Sequence, residues 1–239
     1  MTDAVDPDDV STWPAALRDT LAEYVAGVDP AETSAVDLEL PLTDQQVTAL
    51  LGGRPLRTYH ATRLLPHEVK SVRGDGLRAL KPEHLERRIA DALAAGAIST
   101  EEADRLRART VYAEGSKGTR SNQVCAVVGL TAFAEDWCGV WPLLSTWGGE
   151  AIYWHAEGET LARLRSLGAP SVVVLDLPLA AASWLMFPGL GKALAGHLAR
   201  LLSRHADVFY RASVPASAVV TVWQPGAPEY DRFPDLPRA

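Results

Sequence analysis

The chain has 239 residues, of which 47% are hydrophobic and 22% are charged, as is ordinary for a globular protein of one large or two small domains. Its net charge of -7 argues against a general nucleic-acid coat and against attraction to an anionic membrane surface. The two cysteines, Cys125 and Cys138, form no CxxC pair, which argues against a disulfide framework and a structural zinc site.

The ends of the chain and its longest apolar stretch predict a cytoplasmic protein that does not enter a membrane. Residues 1–10 are acidic and contain no apolar signal segment, so we expect a flexible, solvated arm there. Pro188, Lys192 and Arg200 interrupt the apolar stretch over residues 179–202, which is therefore not a membrane span.

The first part of the chain predicts helices with two short strands. Apolar spacing predicts a helix from Ser11 that ends before residues 29–30, and alternation predicts a strand over residues 36–40. Thr43 caps a predicted helix over residues 43–51, and β-branched and apolar residues predict a strand over residues 56–60.

A helical segment follows this strand. Pro66 opens a predicted helix over residues 66–73, and a second is expected over residues 82–95. Ser99 and Glu102 form a capping box for a third helix that ends near Arg109. This charged region, about residues 81–110, is predicted to be a helical insertion.

The second half is dominated by strand signals. They fall on residues 124–131, 146–155, 171–177, 208–212 and 218–224. A helix is predicted over residues 191–204, between the segments at 171–177 and 208–212. We therefore predict a single α+β domain over residues 11–239, with twisted, mainly antiparallel sheets in the C-terminal half and helical N-terminal and middle segments.

The predicted strand over residues 56–60 ends in polar side chains. His60 and Thr62 lie two residues apart on an extended segment, so one face presents an imidazole and a hydroxyl together. The adjacent Arg63 carries a fork of donors that suits phosphate or carboxylate. The alternative is that His60 bonds a backbone carbonyl, Thr62 caps the next helix and Arg63 is solvated.

A second polar segment lies within the predicted strand over residues 146–155. Gly148 and Gly149 permit close approach of a ligand to the backbone ahead of Glu150 and Tyr153. Strand alternation places Glu150 and Tyr153 on opposite faces unless the glycines bend the chain. The alternative for Tyr153 is a place in the hydrophobic core.

Basic residues and glycines gather between residues 105 and 122, where Lys117 and Arg120 lie in a polar loop. Backbone amides of a glycine-rich turn and basic side chains both suit a pyrophosphate or a nucleic acid. The alternative is a solvated helix end followed by a mobile loop.

The segment Tyr59-His60-Ala61-Thr62, with the following helix and Gly76-Leu77, resembles the opening of the ADP-ribosyltransferase fold of the diphtheria-toxin and poly(ADP-ribose) polymerase type. The resemblance implies that His60 bonds the ribose of NAD and that Thr62 and the backbone of Ala61, which stands where glycine is usual, hold the nicotinamide end. Arg63 is then a further cofactor-binding residue, and Tyr153 supplies the aromatic ring that stacks on nicotinamide.

The family also uses a carboxylate, or a glutamine, near its last strand to stabilise the charged ribose. The predicted last strand contains no acid; Gln224 stands at its end and Glu229 lies beyond it. Glu150 or Glu157 is then the substitute, and we choose Glu150 as the catalytic carboxylate, acting with His60.

The resemblance thus implies an NAD-cleaving enzyme that needs no metal and that transfers ADP-ribose to a protein, a nucleic acid or water, as a toxin or a defence protein does. One alternative is a non-catalytic module on the same fold that binds a protein or a nucleotide through Trp137, Trp141 and Trp147. Another is a metal-independent nuclease that uses His60 and His155 as an acid–base pair.

Overall fold

The computed structural model describes residues 3–113, 120–134, 139–154, 156–201 and 204–238. In these ranges the strands form one open antiparallel sheet in the order β4-β5-β2-β1-β3-β6, which confirms the α+β class. The strands are β1 (Leu56–Leu64), β2 (Val124–Val128), β3 (Ala169–Leu177), β4 (Trp184–Phe187), β5 (Ala206–Tyr210) and β6 (Val219–Trp223).

Ten α-helices lie in the same described ranges, and short 3-10 turns join several of the elements. The helices are α1 (Ala15–Val25), α2 (Asp44–Leu50), α3 (Pro66–Asp75), α4 (Pro82–Ala94), α5 (Thr100–Ala108), α6 (Val140–Ser145), α7 (Glu150–Tyr153), α8 (Gly158–Ser166), α9 (Leu190–Ala199) and α10 (Pro228–Asp231). None of the helices in the described ranges has both the length and the apolar character that a membrane crossing requires.

Local signals set the helix starts where the sequence predicts them. Thr43 and Gln46 form a complete capping box at α2, and Ser99 and Glu102 form another at α5. Pro66 begins α3, where its missing N–H costs no helical hydrogen bond. The predicted helices that begin at these residues are therefore confirmed.

The predicted strand over residues 146–155 is wrong. Its start follows α6, and its middle is the single turn of α7, in which the amides of Ile152 and Tyr153 donate to the carbonyl oxygen of Gly149. Gly148 and Gly149 have φ values of 99° and 66°, so the chain reverses there instead of continuing extended. The predicted strand over residues 36–40 is also wrong, since a 3-10 turn occupies Ala35–Asp37.

The distribution of strands along the chain also differs from the prediction. The described residues form one sheet, not several, and β1 from the first half lies inside it between β2 and β3. The C-terminal half contains two of the longer helices, α8 and α9. Strand β4 was not predicted; it pairs antiparallel with β5, with Trp184 opposite Tyr210. Four residues are too few for alternation to distinguish a strand.

The chain divides into two compact units. The first comprises Met1–His60, Cys125–Glu135 and Val174–Arg211. In it, α1 and α2 pack on α9. The acidic arm is partly buried in this unit: Val5 is fully buried, its amide donates to the carbonyl oxygen of Pro55, and its own carbonyl oxygen accepts from the amide of Arg57.

The second unit comprises Ala61–Val124, Asp136–Val173 and Ala212–Ala239. The predicted helical insertion contributes Leu85 and Ile89 from α4 and Leu106 from α5 to its hydrophobic core. Trp147 and Ile152 lie in the same core cluster. The region around α7 is thus anchored by burial of apolar side chains.

Candidate functional site

His60 lies near the middle of β1, in the first unit. Its Nδ1 atom is 2.6 Å from the carbonyl oxygen of Cys125. A carbonyl oxygen only accepts, so Nδ1 carries the proton that it donates; in the neutral form of such a ring, Nε2 is an acceptor. His60 therefore bonds a backbone carbonyl, as the alternative interpretation expects, and this hydrogen bond also orients the imidazole ring.

The three residues that follow His60 belong to the second unit and are buried: Ala61, Thr62 and Arg63. Arg63 Nε donates to the carbonyl oxygen of Leu167 at 2.6 Å, and burial lowers the pKa of its guanidinium. Arg63 is therefore not solvated. Thr62 is not the cap of α3, because the N-cap residue is Leu65. Cofactor binding by Ala61, Thr62 and Arg63 stays a prediction.

Glu150 and Tyr153 lie three residues apart on the single turn of α7, so they share one face. A strand would have placed Glu150 and Tyr153 on opposite faces, but this segment is helical. Arg120 Nε is 2.6 Å from Glu150 Oε2, and the two side chains are 40% and 26% exposed. Burial, and then the Glu150 carboxylate, raise the pKa of the Tyr153 phenol, while Arg120 opposes the shift. A neutral phenol, a carboxylate and a guanidinium thus form one cluster in the second unit.

Backbone hydrogen bonds position this cluster on both sides. The amide of Val111 donates to the carbonyl oxygen of Ala151 at 3.1 Å, which attaches the end of the α5 region to α7. The amide of Asn122 donates to the carbonyl oxygen of Leu80 at 2.7 Å, two residues after Arg120. Lys117, the other predicted residue of the basic loop, lies outside the described residues.

Three other arginines of the predicted basic region, Arg105, Arg107 and Arg109, make no contact with the side chains of Arg120, Glu150 and Tyr153 in the described part of the structure. Arg105 pairs with Glu101 on α5, and Arg107 pairs with Glu86 and Asp104. The side chains of Arg105 and Arg107 are 53% and 33% exposed, and Arg109 is exposed at the end of α5. These residues fit the solvated helix end of the alternative interpretation.

Glu68 is a largely buried residue that the sequence-based prediction missed. Its carboxylate accepts hydrogen bonds from Arg88 Nε at 2.5 Å, from the amide of Leu65 at 2.7 Å and from Trp147 Nε1 at 2.8 Å. Burial raises the pKa of Glu68, but the charge of Arg88 and these three hydrogen bonds outweigh it, so the pKa lies below its usual value. Its bond to the amide of Leu65 is half of a capping box, and a glutamate two residues after the Pro66 that begins α3 is the local signal that could have identified it.

The other candidate carboxylates and the glutamine lie elsewhere. Gln224 Nε2 donates to Ser171 Oγ at 2.9 Å, after the end of β6. Glu157 is the exposed N-cap residue of α8, and Glu229 is exposed in the first turn of α10. Trp137 and His155 of the alternative hypotheses lie outside the described residues.

The chain matches no family model, no curated protein and no solved structure. Within the ranges that the structure describes, no group of three or more His, Cys, Asp or Glu side chains is arranged to hold a metal ion. The resemblance of residues 59–62 to the ADP-ribosyltransferase family therefore stays a prediction, and the geometry of the Arg120, Glu150 and Tyr153 cluster is the observation available to support it.

Proposed function

We propose that the protein cleaves the nicotinamide–ribose bond of NAD and transfers ADP-ribose to a macromolecule or to water, on an ADP-ribosyltransferase-like fold. One observation carries this proposal: Glu150 lies on the same face of α7 as Tyr153 and is paired with a guanidinium at 2.6 Å. A partly buried carboxylate beside an aromatic ring can stabilise the positive charge that develops on a ribose while the ring binds the departing base.

In the proposed reaction the bond between ribose C1′ and the nicotinamide nitrogen breaks, and its electron pair leaves with the now neutral nicotinamide. Positive charge then develops on the ribose ring, where the Glu150 carboxylate stabilises it. An acceptor hydroxyl, amine or water adds to C1′ and releases a proton to solvent. The Arg120 guanidinium is suited to the diphosphate of NAD, which competes with Glu150 for it.

The remaining residues bind the substrate in this proposal. Tyr153 stacks on the nicotinamide ring; its phenol is neutral at physiological pH even at the ordinary pKa of 10, and burial raises that pKa further. The family resemblance assigns the carboxamide to the backbone of Ala61, which lies in the same unit as Tyr153. The ribose contact of His60 stays a prediction of that resemblance. Thr62 contributes to the same end of the nucleotide.

Release of nicotinamide from NAD, followed by chromatography, tests the proposal. Glu150→Gln keeps the shape of the side chain and removes its charge, so we expect kcat to fall by about 10²–10³-fold, as for loss of one preorganised transition-state contact. Glu157→Gln is the matched control, because Glu157 is an exposed glutamate seven residues further along the chain.

Two outcomes would overturn the enzymatic proposal. A folded wild-type protein that neither binds nor consumes NAD refutes it outright. A protein that binds NAD without releasing nicotinamide refutes the catalytic role of Glu150 and favours the non-catalytic nucleotide-binding module.

A further inference from the structure

The carboxylate of Glu68 joins three separate parts of the second unit. Its Oε2 atom accepts from the amide of Leu65, at the end of β1, and from the indole Nε1 of Trp147, which precedes α7. Its Oε1 atom accepts from Arg88 on α4. The Glu68 side chain is 11% exposed, so these bonds form in a site from which most water is excluded.

Arg88 completes the attachment of Trp147. A second guanidinium nitrogen of Arg88 donates to the carbonyl oxygen of Arg63 at 3.0 Å. The guanidinium carbon also lies 5.0 Å from the centroid of the Trp147 ring, within the range of a cation–π interaction. The indole is thus held at its edge by Glu68 and over its face by Arg88, which specifies both its place and its tilt.

Trp147 is connected to α7 by a short and closely packed segment of the chain. Trp147 is fully buried, its amide donates to the carbonyl oxygen of Leu164 at 3.1 Å, and two glycines separate it from Glu150. A Cβ atom at Gly148 would lie 2.6 Å from the Cβ of Ile152, so this connection is closely packed against the helix that follows. We therefore expect a displaced indole to displace the single turn of α7 as well.

We propose that Glu68 is a positioning residue of the NAD-cleaving site: through Trp147 it sets the place of α7 and hence the relative positions of Glu150 and Tyr153. This inference rests on the proposed function. In this proposal the ion pair between Glu68 and Arg88 fixes the geometry of the site. A role of this kind would account for the pair, because buried ion pairs contribute little net stability compared with a packed apolar replacement.

Trp147→Phe tests the inference with a small change, because it keeps an aromatic ring in the core and removes the N–H that donates to Glu68. Trp13→Phe is the matched control: Trp13 is also buried, and its Nε1 donates one hydrogen bond, at 2.6 Å, to the carbonyl oxygen of Asp6 in the first unit. Glu68→Gln is a second variant that perturbs the same contact from the other side.

Two measurements follow for each variant. Nicotinamide release gives kcat and KM separately; a misplaced reacting group lowers kcat by about 10- to 100-fold, and we expect a loss of that size for Trp147→Phe and Glu68→Gln. The control is expected to retain kcat within about twofold, since neither Trp13 nor Asp6 has a role in the proposed reaction. Hydrogen exchange of the peptide over residues 147–154, compared with that of Ala169–Leu177, reports how firmly α7 is held in its folded conformation, without any substrate.

Faster exchange over residues 147–154 together with a selective fall in kcat supports the proposal. Exchange in that peptide that is unchanged, or that rises by no more than the variant's loss of free energy of unfolding accounts for, refutes a positioning role for Glu68. A fall in kcat as large in Trp13→Phe as in Trp147→Phe refutes it too. If the folded wild-type protein does not consume NAD, the proposed function fails, whereas the exchange measurement still decides whether Glu68 positions α7.

Discussion

Replacement of Glu68 by glutamine is expected to destabilise the protein in a pH-dependent way. Glu68→Gln removes the negative charge that Arg88 pairs with and leaves a buried guanidinium whose side chain is 16% exposed. Breaking a buried ion pair from one side costs about 3–5 kcal/mol. The substituted amide still offers one carbonyl oxygen to Leu65 or Trp147, so we expect a loss near the lower end, about 3 kcal/mol, at neutral pH.

The sign of the pH dependence follows from the lowered pKa of Glu68. Because its pKa in the folded protein lies below the ordinary 4.5, the ionised carboxylate stabilises the fold above 4.5, and this contribution is lost as the pH falls through the folded value. The difference between wild type and Glu68→Gln is therefore expected to be largest near pH 7 and to shrink below pH 4.5.

Urea unfolding at a series of pH values measures this difference, with the exposed Glu39 replaced by glutamine as the control. The control is expected to change the free energy of unfolding by less than about 0.5 kcal/mol. A difference between wild type and Glu68→Gln that stays constant down to pH 3 would show that the charge of Glu68 contributes nothing. A loss no larger than that of the control would show the same.

Three further predictions concern the α7 region. Arg120→Ala is expected to cost less than about 1 kcal/mol in urea unfolding, since its ion pair is half exposed, and to raise KM for NAD; an unchanged KM refutes its role at the diphosphate. Gly148→Ala is expected to lower the melting temperature more than Gly149→Ala does. A Cβ atom added at Gly148 would lie 2.6 Å from Ile152, whereas no atom of the described residues lies within 4 Å of a Cβ atom added at Gly149. Equal melting temperatures of the two variants would contradict this prediction. Tyr153→Phe is expected to keep KM for NAD within about threefold and Tyr153→Ala to raise it at least about tenfold, as expected if the ring stacks; similar values for both variants count against stacking.

Helix starts could be predicted from the sequence because their stabilising contacts are local. The side chain of Gln46 accepts from the backbone of Thr43, and that of Glu102 accepts from the backbone of Ser99, so each capping box needs only four consecutive residues. A sequence window contains everything that such a contact requires. The helices over the predicted insertion were predictable for the same reason.

The conformation around Glu150 could not be predicted in this way. Its β-branched and aromatic neighbours favour a strand, yet Trp147 bonds to Leu164, and Ala151 accepts from Val111, which lies 40 residues earlier in the chain. Burial of Trp147 in the core of the second unit holds this turn of helix in place. These long-range contacts override the local preference of a segment that is only a few residues long.

The sequence by itself determined the α+β class, the capped helices and the residue types available for chemistry, because hydrophobic pattern and capping depend on near neighbours. Only the tertiary structure decided what each charged side chain does. Arg63 bonds a carbonyl oxygen 104 residues away, Arg120 pairs with a carboxylate 30 residues away, and Arg107 pairs with Glu86 on the partly exposed side of α5. Desolvation and partner geometry distinguish these arginines, and both arise only when distant segments pack together.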